Sequence, residues 1–132
     1  MGFIKKLYSL CVLSICNSLK NNPTCSESFL IFQHAKRFEL LALQHMYNSH
    51  SADKDQYIYA YQRNAFWYFL HAALKGYSES QYKLGICYLK GELGLTQDKY
   101  IAQKWFTLAA NQGHLDALYE LNLIRTSQQY PH

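Results

Sequence analysis

The chain has 132 residues, enough for one small domain with a modest core. Its net charge of +4 is mild, and its Lys and Arg residues are scattered, with no run that would track a line of phosphates, which speaks against nucleic-acid binding. Aromatic residues reach 16%, with 12 Tyr among them. Such rings are expected first as core and as fillers between helices, and second as a Tyr-rich recognition surface with large contact area at low entropic cost.

Residues 1–18 open with Met1-Gly-Phe-Ile-Lys5-Lys6, continue through the apolar Leu7 to Ile15, and close on Cys16-Asn17-Ser18. A basic start, an apolar stretch too short to span a bilayer and small residues near its end describe a secretory signal peptide, with cleavage after Ser18. Two other readings stand beside it: acylation at Cys16, against which Ile15 is the wrong neighbour, and an unprocessed amphipathic helix. Removal of 1–18 would leave only Cys25 and Cys87 of the four cysteines, a pair that an oxidising compartment could bond. The plainer reading of Cys87 is a small buried hydrophobe.

Asn21-Asn22-Pro23 breaks the chain, and Thr24 with Glu27 has capping-box spacing. A helix is expected from there to Asn48, with Phe29, Phe32, Phe38, Leu41, Leu43 and Met46 as its apolar positions. Asn48 to Ala52 is polar and turn-like. A second helix runs from about Asp53 to Lys75 and stops at Gly76. Its run Phe66-Trp67-Tyr68-Phe69 cannot face one side, so some of these rings cover a neighbour or stay exposed. The third helix is expected over Ser78–Lys90, stopping at Gly91. The fourth runs from a cap at Thr96 to about Gln112, and the fifth from after Gly113 to about Gln128, with Tyr130-Pro131-His132 as a frayed tail.

A repeat underlies this layout. Stepping 37 residues, from Gly76 to Gly113, pairs Ala65 with Ala102, Phe69 with Phe106, Ala72-Ala73 with Ala109-Ala110, Tyr82 with Tyr119 and Leu84 with Leu121. Small residues fall where helices cross and Gly where helices end, the mark of a helical repeat. A step of 41 also aligns Leu43-Gln44-His45-Met46-Tyr47 with Leu84-Gly85-Ile86-Cys87-Tyr88, which makes the first unit a degenerate copy.

Leu84, Gly85, Tyr88, Gly91, Asp98, Ala102, Trp105, Phe106, Ala109, Ala110 and Gly113 stand where the Sel-1-like repeat family has its Leu-Gly-x-x-Tyr-x-x-Gly phrase, its loop Asp and its Ala-x-x-Trp-Tyr-x-x-Ala-Ala…Gly phrase. The chain resembles that family, a relative of the tetratricopeptide repeat, with Ser80 in place of the usual Ala and Phe106 in place of the Tyr. The resemblance implies an all-α fold, a right-handed α-α superhelix: a short solenoid of antiparallel helix pairs, about two repeats plus a capping helix. Residues 24–75 would be a degenerate first repeat, 76–112 the best repeat and 113–128 a C-terminal capping half-repeat.

The resemblance further implies that first helices line a concave groove. It would place Leu41, His45, Glu79, Tyr82, Ile86, Leu89, Lys90, Asp116, Tyr119 and Leu123 there as partner-binding residues, with packing between repeats as the competing role for Tyr82, Ile86, Tyr119 and Leu123. Motifs of chemistry are missing from the sequence. No Cys-x-x-Cys, His-Glu-x-x-His, phosphate loop or nucleophile elbow occurs, and the six His (34, 45, 50, 71, 114 and 132) lack metal-ligand spacing, so neither a cofactor nor a metal is expected. The expected function is therefore non-catalytic: an exported, periplasmic or secreted module that binds a protein or peptide, as an envelope adaptor or as an inhibitor of a secreted toxin. A cytoplasmic location is the alternative address. The alternative class is a secreted cysteine-containing repeat enzyme with weak hydrolase activity.

Overall fold

A computed structural model of the chain describes residues 26–48 and 53–129. The expected signal segment 1–18, the break at 21–23, Thr24, Cys11, Cys16, Cys25, His50 and the tail 130–132 lie outside the described residues. Five helices account for most of the rest: α1 Glu27–Asn48, α2 Lys54–Leu74, α3 Ser78–Lys90, α4 Lys99–Ala110 and α5 Leu115–Gln129. No strand occurs among the described residues. The helices pair in sequence order as a short solenoid of helix pairs. Ring contacts between α1 and α2 run in opposite chain directions: Phe32 meets Phe69, Phe38 meets Tyr68 and Tyr61, and His45 meets Tyr57.

The 37-residue step is realised in the packing. Ala65 and Ala102, Phe69 and Phe106, and Ala72 and Ala109 are all fully buried. Helices α2 and α4 also end alike. Gly76 and Gly113 both stand at φ +88°, where a side chain would be strained. Tyr77 N–H donates to Ala72 O as His114 N–H donates to Ala109 O. Around these pairs lie two cores. Ala35, Ala65, Phe69, Ala73 and Leu84 join α1, α2 and α3, while Ile86, Ala102, Phe106, Ala109, Ala117, Leu121 and Ile124 join α3, α4 and α5. Through Ala117, Leu121 and Ile124, α5 covers the apolar side of α4.

A buried polar seam holds α3 to the helices on either side. Ser80 Oγ donates to Phe69 O at 2.6 Å, and Gln81 Nε2 donates to Ala73 O at 3.1 Å. Gln112 Nε2, just beyond α4, donates in turn to Gln81 Oε1 at 2.7 Å. The Ser at position 80 thus makes a tie that Ala cannot: its buried hydroxyl is satisfied by an α2 carbonyl and joins α3 to α2.

Two expectations change. The cap of α4 is Asp98, not Thr96. Its carboxylate accepts from Tyr100 N and Ile101 N at 2.9 Å each, and an ionised acceptor at a helix N-terminus outcompetes a hydroxyl two residues earlier. Asp98→Ala should cost about 1 kcal/mol in chemical denaturation, with Thr96→Ala near neutral.

The first unit also matches the second with a different step. Phe32 lies against Phe69 and Tyr77, as Tyr82 lies against Phe106 and His114. Ala35 shares a core with Phe69, as Gly85 lies on Phe106. Both correspondences, 32 to 82 and 35 to 85, are steps of 50 rather than 41. The reason is length: α1 has 22 residues against 13 in α3, and α2 has 21 against 12 in α4. Eight of the nine extra residues of each helix, 41–48 and 54–61, lie at the turn end, so the first hairpin projects about 12 Å beyond the second. Tyr47, aligned with the half-buried Tyr88 by the step of 41, is 86% exposed on that projection.

Candidate partner-binding face

Helix α3 carries half of the expected site residues; its two flanks pack on different neighbours, leaving one side toward solvent between α1 and α5. Of those residues, Glu79 and Lys90 are exposed, and Tyr82 and Leu89 are half-buried. Ile86, at 9% exposure, packs within the α3–α4–α5 core and is closed to a partner. From α5 come Asp116, Tyr119 and Leu123, all exposed. Leu41 and His45 do not join this set. They sit on the projecting part of α1, where the His45 ring lies against Tyr57 and Tyr61 of α2.

At the α3–α5 junction, His114 stacks on Tyr82 with centroids 4.6 Å apart and planes at 24°. Its Nδ1 accepts from Ala117 N at 3.3 Å, capping α5, so the other nitrogen, Nε2, bears the proton of the neutral ring. Nε2 faces Glu79 Oε2 at 3.3 Å, an approach whose angle falls short of a hydrogen bond. Burial, and then the charges of Glu120, Asp116 and Glu79, raise the Tyr82 pKa above its ordinary value. The junction is therefore an acidic surround on an aromatic ring.

The other end of the α3 face is a cleft of about 340 Å³ that the sequence did not reveal. Ala42, Leu43 and Met46 of the α1 projection form one wall, and the turn Gly91–Gly94 forms the other. Leu93 in that turn holds φ +56°, a costly angle for a residue with a side chain. At the floor, Lys83 Nζ lies 2.6 Å from Glu39 Oε1 and 3.1 Å from Glu92 Oε2. Burial alone would lower the Lys83 pKa. The hydrogen bond and charge of Glu39 outweigh it, and the ammonium is held at about 12. No local signal flags this triad, because its members come from α1, α3 and a turn.

Beneath Lys83, the Cys87 thiol is fully buried and free, with Sγ 3.9 Å from Glu92 Oε2. Burial first, offset by Lys83 and reinforced by Glu92 and Glu39, pushes its pKa up to about 12. A nucleophilic cysteine needs the opposite shift and access to substrate. Among the described residues no group of three or more His, Cys, Asp or Glu is placed to hold a metal ion, and no helix is long and apolar enough to cross a membrane.

Fold and face together define a short helical-repeat protein whose first helices present a mixed apolar and charged surface. Residues 78–114 match the family model of the Sel1 repeat, consistent with a Sel1-like repeat family. That match points to a helical-repeat module of the protein-interaction kind. No curated protein and no solved structure matches the chain.

Proposed function

We propose that the chain is a non-catalytic protein–protein interaction module that binds a protein or peptide along the α3 face, from the Glu79–Tyr82 junction to the cleft beside Lys83. One observation carries the reading: the projecting α1 hairpin walls that face with Leu43 and Met46 above an ion-paired floor. Apolar walls with a few fixed polar groups suit a side-chain anchor, with the charges setting orientation. The pattern of residues 1–18 adds an exported setting to the proposal, in which the partner would be an envelope protein or a secreted toxin. N-terminal sequencing of the mature chain tests that part separately.

Affinity capture from the native envelope tests the face. Wild type should retain a partner that Met46→Glu/Lys90→Glu loses by at least about tenfold, the scale expected when a buried anchor is replaced by a charge. Equal capture by both proteins rules out this face.

A further inference from the structure

We infer that copies of this chain associate head to tail, the outer face of α5 in one copy seating on the outer face of α1 in the next. The inference starts from the repeat. Tyr119 and Leu123 follow Tyr82 and Ile86 by one step of 37. Within the chain, Tyr82 is covered by Phe106 and His114, and Ile86 by the α4–α5 core. On α5 the same positions meet no further helix among the described residues. Leu115, Tyr119 and Leu123 form a row at four-residue spacing along one side of the helix, with Leu115 78% and Tyr119 64% exposed. This surface continues an interface the chain already uses once.

The opposite end offers a matching surface. On α1, Lys36, Leu40, Gln44 and Tyr47 stand on the side turned away from Ile31, Ala35 and Ala42, the residues α1 buries, and Leu40 is 55% exposed. Its cation beside Leu40 is Lys36, with the neighbouring Glu39 paired to Lys83, whereas α5 carries Asp116 and Glu120 beside its apolar row. The signs choose the pairing. Two α5 faces bring carboxylates together and two α1 faces bring cations together, while α5 on α1 sets opposite charges beside two apolar stripes. A contact between unlike surfaces leaves each copy one free end of either kind, so it propagates from copy to copy, into a ring where the rotation closes and a filament where it does not. A single helix face on each side buries little area, so the association is weak and concentration-dependent.

Sedimentation velocity on the full 132-residue chain tests this from the micromolar to the millimolar range. The weight-average mass should climb past that of a dimer as concentration rises. Leu40→Glu and Tyr119→Glu each spoil one end, so each alone should stay monomeric with unchanged helical circular dichroism. Mixed in equal amounts, they should form a one-to-one dimer that grows no further, because each still carries one intact end. A milder pair guards against misfolding. Lys36→Glu or Asp116→Lys alone should weaken association about tenfold, and both in one chain should restore it. A wild type that is monomeric throughout, growth that stops at a dimer, or an inert mixture overturns the proposal. Met46→Glu/Lys90→Glu leaves both ends untouched, so loss of partner capture and loss of self-association are separate results.

Discussion

Gly85→Ala should destabilise the wild-type protein by about 2 kcal/mol, yet stabilise the Phe106→Ala variant by up to about 1 kcal/mol. A Cβ at Gly85 would run into three carbons of the Phe106 ring. That ring is fully buried in the same core as Ala102, Ala109 and Ile86. Overpacking of this kind costs about 1–3 kcal/mol and outweighs the helix propensity that Ala gains over Gly. Phe106→Ala alone should lose about 3–5 kcal/mol, since it empties the centre of the α3–α4–α5 core. With the ring gone, the added methyl meets a cavity and the propensity gain alone is left. The double-mutant cycle should therefore show a coupling of about 2–3 kcal/mol, read from urea midpoints at constant slope. Additive losses would mean that α3 and α4 do not cross at this point.

The same crossing shows what the sequence reveals and what it hides. The second unit is legible because its contacts demand particular residues: no Cβ fits at Gly85, and only a left-handed cap closes α3 at Gly91, where φ is +73°. The first unit preserves the contacts with other residues, Phe32 for Tyr82 and Ala35 for Gly85, so identity disappears while geometry persists. Leu43 and Tyr47 then imitate the Leu-x-x-x-Tyr spacing within a helix that has already run past the stacked region. The expected lengths held, and register was the missing quantity, since nothing local in α1 says which part of its length is the stacked one. The cleft was hidden for the same reason. It exists only because the projection passes beside the Gly91–Gly94 turn, and it joins Glu39 to Lys83 and Glu92 across elements that no periodicity connects.

Raising the pH above 9 should weaken this protein, and α3 should be where the loss arises. Five groups on or beside that helix, Cys87, Lys83, Tyr77, Tyr82 and Tyr88, have pKa values raised in the folded state. A raised folded pKa means that the native state holds its proton more tightly than the unfolded chain. Stability is then complete below the unfolded pKa and falls as pH climbs toward the folded value. For Cys87 the window runs from the ordinary thiol value of 9.0 to about 12, and for Lys83 from 10.5 to about 12. At 1.36 kcal/mol per pH unit, the Cys87 window alone removes about 2 kcal/mol by pH 10.5. For a domain of this size that corresponds to a fall of roughly 10 °C in thermal midpoint. Cys87→Ala should start slightly less stable, from the small cavity, but stay nearly level between pH 9 and 10.5, with only the tyrosines contributing a slope. On the acid side, the hydrogen bond and charge of Lys75 hold the fully exposed Glu27 carboxyl below its ordinary value. A wild-type midpoint unchanged up to pH 10.5, or an equal decline in Cys87→Ala, would show that the thiol is not sealed beneath Lys83 and that the cleft floor is open to water.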